Sequence, residues 1–179
     1  MEGRGMRFRD KAVLVIGGNS GIGLAAAKGF AAEGAQVVVT GRDPKTLAEA
    51  ALSIGNGALA LRSDISELDS LDMVIATVRE RLGRIDVLFV NAGIGTFAPI
   101  PTVTPQLWDQ VQAVNLKGCF FAAQKALPLM GKGGSIVFTG SIGSVLAVPG
   151  NAVYAAAKAG LRAVARIFAV ELVGQGIRV

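Results

Sequence analysis

Lys11-Ala-Val-Leu-Val-Ile16 runs straight into Gly17-Gly18-Asn19-Ser20-Gly21-Ile22-Gly23 and then into Leu24-Ala-Ala-Ala-Lys28-Gly-Phe30-Ala-Ala-Glu33-Gly34. The first piece is apolar, short and rich in β-branched residues, which predicts a buried strand. The last is rich in strong helix formers and closes on a glycine, which predicts a helix. Glycines between them let the backbone turn tightly and let a ligand approach it closely. The start of the helix presents unpaired N–H groups and the positive end of its dipole, both favourable to an anion. Strand, glycine turn and helix in that order form the phosphate-binding opening of a dinucleotide-binding unit. The glycines are spaced G-x-x-x-G-x-G (Gly17, Gly21, Gly23) rather than G-x-G-x-x-G. An ordinary strand-to-helix turn would use the same residues, but the position in the first β-α unit favours the dinucleotide.

The same alternation continues along the chain. Residues 36–40, 58–62, 87–90 and 135–139 read as further strands. Asp43-Pro44 marks a helix start, with proline at the first helical position and the helix over residues 45–52. Residues 68–82 show helical periodicity and end at Gly83. Residues 105–129 read as one long helix, bent or ended by Pro128. Residues 151–175 read as the last helix, closed by Gly174 or Gly176. Strands separated by helices imply an α/β domain with a doubly wound parallel sheet and helices on both faces. No internal linker, low-complexity segment or solenoid repeat interrupts residues 11–179, which form one domain behind a tail over residues 1–10. Gly176-Ile-Arg-Val179 looks like the opening of a sixth strand.

Composition agrees with this architecture and excludes several chemistries. The 179 residues are enough for one sizeable core. Half are hydrophobic, yet no uninterrupted apolar stretch is long enough to span a membrane. The arginines of the first ten residues read as a solvated tail without a signal-peptide core. The net charge of +5 permits attraction to phosphate groups, but no nucleic-acid motif accompanies it. There is no histidine, so a Ser-His-Asp triad and a histidine-ligated metal site are excluded, and no metal is expected. The lone cysteine, Cys119, lies in an apolar stretch and reads as a small core residue rather than a nucleophile. The cytoplasm is the default location.

The chemistry concentrates in Asn151-Ala-Val-Tyr154-Ala-Ala-Ala-Lys158-Ala-Gly160. Tyr154 is the only tyrosine, and Ser141 lies thirteen residues before it. Residues four apart on a helix share a face, so the phenol and the ammonium point the same way. An ammonium beside a phenol favours the phenolate, which suits a general acid or base. A nearby serine hydroxyl could hydrogen-bond the oxygen that gains or loses the proton. Y-x-x-x-K is also a common accident, in which the ring packs and the lysine is solvated.

Taken together, the Gly17–Gly23 turn, Asp64 after the third strand, Asn91-Ala92-Gly93 after the fourth, Asn115 in a helix and the Ser141/Tyr154/Lys158 set resemble the short-chain dehydrogenase/reductase family. The resemblance runs from about Phe8 to the last residue. It departs at Ile16, where the family usually has threonine, and at Val90, where it often has a first asparagine. It also implies a Rossmann-like sheet that lacks its last strands here, since the family continues with further strands and a substrate lid. By resemblance, the cofactor contacts are Gly17, Asn19, Ser20, Gly21, Ile22, Gly23, Arg42, Asp64, Ile65, Asn91, Ala92, Gly93, Tyr154 and Lys158. Asp64-Ile65 would meet the adenine, which is favoured over the competing reading of Asp64 as a cap of the helix that follows. Asn91-Ala92-Gly93 offers small residues where the cofactor passes, as a plain turn also would. The catalytic set would be Asn115, Ser141, Tyr154 and Lys158, with Asn115 kinking its helix and holding a relay water. The competing reading of Asn115 is an exposed polar residue.

The end of the second strand bears on cofactor choice. A carboxylate there would accept from the ribose 2′-hydroxyl of NAD, and an arginine would suit the 2′-phosphate of NADP. This chain has Thr40-Gly41-Arg42-Asp43, which favours NADP over NAD, although Asp43 could pair with Arg42 or cap a helix. The expected activity is hydride transfer between NADP(H), or NAD(H), and a small carbonyl or alcohol substrate. The expected assembly is a homo-oligomer, dimer or tetramer, with the two long helices at its interface. No nucleic-acid or membrane partner is expected. The alternative is a truncated cofactor-binding or interaction module with little turnover.

Overall fold

The computed structural model describes residues 6–179. Five strands form one sheet: β1 (Ala12–Ile16), β2 (Gln36–Gly41), β3 (Leu59–Arg62), β4 (Val87–Val90) and β5 (Ser135–Phe138). They lie in the order β3-β2-β1-β4-β5, and every neighbouring pair is parallel. The chain thus winds outward from β1 through β3, then returns to the other side of β1 at β4. That reversal opens a crevice at the carboxyl ends of β1 and β4, where a doubly wound sheet takes its ligand.

Alternate side chains of the strands enter two separate cores, except on β5, whose Val137 is exposed. Leu14, Ile16, Val38, Leu88, Val90 and Ile136 pack on one face. That face is covered by α3 (Leu68–Leu82), α5 (Cys119–Ala126) and α6 (Ala152–Leu172). Val13, Val15, Val37, Val39, Val87 and Phe89 pack on the other, beneath α1 (Gly21–Ala32) and α2 (Pro44–Ile54). All five residues of β1 are buried, as expected of a central strand covered on both faces. Each fully buried valine or leucine contributes about 1.5–3 kcal/mol of transfer free energy, so β1 and β4 anchor the sheet.

Local chemistry sets the helix ends. The Asp43 carboxylate caps α2 by accepting from Thr46 N–H at 2.7 Å, with Pro44 at the first helical position. That bond holds the Asp43 carboxyl below the usual carboxylate range, so of its two expected roles Asp43 takes the cap. Gly83 ends α3 in the left-handed conformation, with Arg79 and Arg81 in the last turn, where cations suit the dipole.

The helix expected over residues 105–129 is one rod with an irregular middle. It begins as α4 (Pro105–Gln112), passes through a π segment (Ala113–Gly118) into α5, and closes in a 3-10 turn (Leu127–Leu129) containing Pro128. The last helix starts at Ala152 rather than 151, and residues 173–175 wind as a 3-10 turn before Gly176 at φ 71°. Beyond it Arg178 makes a single parallel bridge to Ser135, with Ile136 N–H donating to Arg178 C=O at 2.7 Å. The expected sixth strand thus registers on the outer edge of β5.

Residues 1–5 of the expected tail lie outside the described residues. Residues 6–10 are tied down: Phe8 packs edge-on against Phe30 at 4.9 Å, and the Arg7 guanidinium pairs with Glu33 at 2.6 Å. Ile16 and Val90 are buried core residues. Among the described residues, no helix is long and apolar enough to cross a membrane.

Cys119 is fully buried, and its thiol donates weakly to Val114 C=O at 3.5 Å. Burial pushes the thiol up to about 11, so roughly one molecule in a thousand carries the thiolate nucleophile at pH 8. Native protein at pH 8 should resist Ellman's reagent for hours and react within minutes in denaturant. Rapid labelling of the native chain would show that the site opens.

Candidate active site

The cleft at the carboxyl ends of the strands has a volume of about 890 Å³. The β1–α1 turn forms its floor. Gly17 has φ +78°, and a Cβ there would stand 2.7 Å from the backbone of Ala92, so only glycine lets this turn lie against the end of β4. Ser20, Gly21 and Ile22 line the cleft beside it. Ser20 precedes α1 without capping it through its side chain, and the first turn of α1 holds no acidic residue. The N–H groups at that helix start are therefore available to an anion such as a pyrophosphate. Gly23 is not on the wall. A Cβ there would lie 2.1 Å from Gly17 C=O, so this third glycine packs α1 against the turn.

A chain of hydrogen bonds ties the turn to the far side of the cleft. Asn91 Nδ2 donates to Gly17 C=O at 3.1 Å. Thr139 Oγ1 donates to Asn91 Oδ1 at 2.9 Å. Lys158 Nζ donates to Thr139 C=O at 2.8 Å. Asn91, Ala92, Gly93, Thr139, Tyr154 and Lys158 all line the cleft. Lys158 is 3 % exposed, and its Nζ lies 5.9 Å from the Tyr154 ring centre. The helical spacing does bring phenol and ammonium to one face, and the lysine is not a solvated surface charge. Among the described residues it has no carboxylate partner.

Asn115 is buried at the centre of the π segment, which overturns its reading as an exposed polar residue. Its Oδ1 accepts from Ile94 N–H and its Nδ2 donates to Ile94 C=O, both at 2.8 Å. It stands behind the wall rather than on it. A Cβ on Gly93 would lie 3.3 Å from Asn115 Oδ1 and 3.6 Å from Lys158 Nζ, so the bare Gly93 lies against both groups. Ser141 is also off the wall, at the start of the turn Ile142–Ser144. Its Oγ accepts from Gly143 N–H at 3.1 Å. A Cβ on Gly143 would fall 2.8 Å from Asn151 Nδ2, 3.4 Å from that Oγ and 3.8 Å from Tyr154 Cδ1, so Gly143 leaves room where serine, tyrosine and Asn151 converge.

At the opposite end, Arg42, Asp64 and Ile65 line the cleft. Asp64 Oδ1 accepts from Ser66 N–H at 2.9 Å and from Ser66 Oγ at 2.7 Å, which closes the turn before α3. Its other oxygen is 3.9 Å from Arg42 Nη1. Asp64 thus carries the local turn while facing the cleft. At Gly41, a Cβ would meet Asn19 Cγ at 2.4 Å, and Asn19 is fixed there by donating to Thr46 Oγ1 at 2.8 Å. Asn19 therefore fills the space that a carboxylate-bearing side chain at position 41 would need. Sequence reasoning missed Thr139, whose position at the end of β5 is the available signal, and Arg62, which ends β3 and also lines the cleft.

Comparison with known proteins agrees with this geometry. The sequence profile of the short chain dehydrogenase family matches residues 11–179. Oxidoreductase asL5 of Sarocladium schorii is 39% identical over 97% of this chain and 70% of its own length. Meso-2,3-butanediol dehydrogenase of Serratia marcescens is 35% identical, with the same coverage of each chain. A short chain dehydrogenase from Burkholderia cenocepacia J2315, solved in complex with NADP, superposes with a TM-score of 0.91 at 33% identity, over 96% of this chain and 72% of that one. Fold, profile and relatives coincide: the chain is an oxidoreductase of the short chain dehydrogenase family.

Proposed function

We propose that the chain interconverts a carbonyl and an alcohol with NADP(H), using Tyr154 as general acid or base. Lys158 carries this reading. An ammonium withdrawn from water is unfavourable unless it is bonded and used, and this one sits beside the only tyrosine on the wall of a cleft built for a dinucleotide. The nicotinamide would supply or accept the hydride. The Tyr154 hydroxyl gives its proton to the oxygen that becomes the alcohol, and takes it back in the oxidative direction. Ser141 Oγ accepts from Gly143, which leaves its own O–H to hold the substrate oxygen. Lys158 stabilises negative charge on the phenol oxygen while Thr139 C=O keeps its ammonium in place. Each end of the Asn115 amide keeps one unused hydrogen-bonding position, which a relay of ordered water towards Lys158 could occupy. The substrate we propose is a small ketone, an alcohol or an acyl-chain carbonyl.

NADP is preferred over NAD on the geometry of position 41. Asn19 occupies the place of the carboxylate that would hold a 2′-hydroxyl, and Arg42 stands next to it. The NADP complex of the Burkholderia relative supports the same choice. The outer face of α6 supports a homo-oligomer. Ala163, Ile167 and Val170 repeat along one side of it, and Ile167 and Val170 are 57% and 73% exposed. Ala157 and Gly160 face inward instead, with a Gly160 Cβ falling 3.0 Å from Leu116. The single buried cysteine fits the cytoplasm, where thiols stay reduced.

Tyr154→Phe should lower kcat by about a hundredfold or more while leaving the NADPH dissociation constant within about twofold, because the phenol acts on the proton and adds little to ground-state binding. Stopped-flow turnover with calorimetry checks both, and retained turnover removes Tyr154 from the mechanism. Arg42→Asp should move the ratio of NADP to NAD affinity by about tenfold or more towards NAD, read from fluorescence titrations of each. Light scattering should show a dimer or larger species, and Ile167→Glu with Val170→Glu should shift it towards monomer.

A further inference from the structure

We infer that Arg62, at the end of β3, is the second cationic arm of the 2′-phosphate site. This rests on the NADP reading and adds to it a residue that the binding motifs leave out. Arg62 pairs in register with Gly41 across β2 and β3, so the two strand ends place Arg62 directly beside Arg42. Its Nε donates to Arg42 C=O at 3.3 Å, which anchors one edge of the exposed guanidinium and leaves its two terminal nitrogens free to donate to a ligand. Both arginines line the same end of the cleft.

Of the two arginines, only Arg42 pairs with a nearby carboxylate among the described residues. Asp43 is turned into the cap of α2. Asp64 spends one oxygen on Ser66 and directs the other at Arg42. Among the described residues, Arg62 makes no ion pair. A phosphate monoester carries close to two negative charges at neutral pH and three acceptor oxygens. One exposed arginine, partly engaged by Asp64, answers only part of that charge. Two guanidinium groups on adjacent strand ends can each present parallel N–H donors to it. The competing role for Arg62 is stacking on the adenine face, which would serve NAD and NADP equally.

Fragment binding separates these roles without requiring turnover. Calorimetry would compare 2′,5′-ADP, which carries the 2′-phosphate, with 5′-AMP, which does not, for wild type, Arg62→Gln, Arg62→Lys and Arg42→Gln. The expected result is that Arg62→Gln weakens 2′,5′-ADP by about five- to twentyfold, leaves 5′-AMP within about twofold, and is partly rescued by Arg62→Lys. Raising salt should shrink the wild-type preference. Equal weakening of both fragments would assign Arg62 to adenine stacking and overturn the inference. No change in either would make Arg62 a solvated charge and overturn it as well. If Arg42→Gln abolishes the preference for 2′,5′-ADP while Arg62→Gln keeps it, this inference falls and the NADP reading stands. If wild type binds both fragments equally, the NADP reading falls and takes this inference with it.

Discussion

Three hydrogen bonds in series hold the two halves of the active cleft in register: Asn91 to Gly17, Thr139 to Asn91, and Lys158 to Thr139. Backbone bonds carry the parallel ladders one residue or two past the strand ends, as from Gly18 N–H to Thr40 C=O, Ala92 N–H to Ile16 C=O and Thr139 N–H to Val90 C=O. The side-chain series adds to them. It runs from the phosphate turn after β1, across the ends of β4 and β5, to the first turns of α6. Its members line the cleft and are partly buried, with Lys158 the most deeply buried of them, and in such surroundings a hydrogen bond is electrostatically stronger than in water.

The π segment in the α4–α5 rod answers to the same demand on a different strand end. Asparagine in a helix interior is disfavoured by only about half a kcal/mol relative to alanine. Leaving the N–H and C=O of Ile94 unpaired inside the protein would cost about 1–3 kcal/mol for each. Pairing the Ile94 backbone outweighs the helix preference, and Asn115 faces inward. Gly118 makes the close approach possible, because a Cβ there would stand 2.4 Å from Ile65 C=O. The irregularity of the helix thus accompanies the pairing of the Ile94 backbone, and it leaves Asn115 behind Gly93.

What the sequence made legible follows the range of the interactions involved. Strand alternation, the glycine turn, the Asp43 cap and the Tyr154–Lys158 spacing are encoded within a few residues, and the structure reproduces them. The π segment is not local: it depends on Ile94, twenty-one residues from Asn115, so the periodicity of residues 105–129 reads as plain helix. The filling of the space at Gly41 by Asn19 likewise needs the fold. Gly23 and Gly17 look alike as letters of one motif, yet one packs a helix and the other turns the chain. Arg62 carries no local mark at all, since an arginine at a strand end usually signals only solvent. Its significance comes from register with Gly41, which no window of sequence contains.

The two ends of the cleft differ in electrostatic character, and that difference bears on how the chemistry is driven. The end near Arg42 and Arg62 is exposed and carries charge screened by solvent, suited to gripping an anion. At the other end, residues 87–108 and 133–157 contain no aspartate, glutamate, lysine or arginine. Lys158 is consequently the one formal charge beside Tyr154 and Ser141 among the segments that form that end. Among the described residues no carboxylate pairs with this ammonium, which lies buried 5.9 Å from the Tyr154 ring centre, and a fixed charge at a buried site is worth more than one on the surface. Adding a carboxylate near Lys158 would compensate that field without touching the phenol. The bare surroundings of the lysine are therefore as much a part of the proposed proton transfer as the lysine itself.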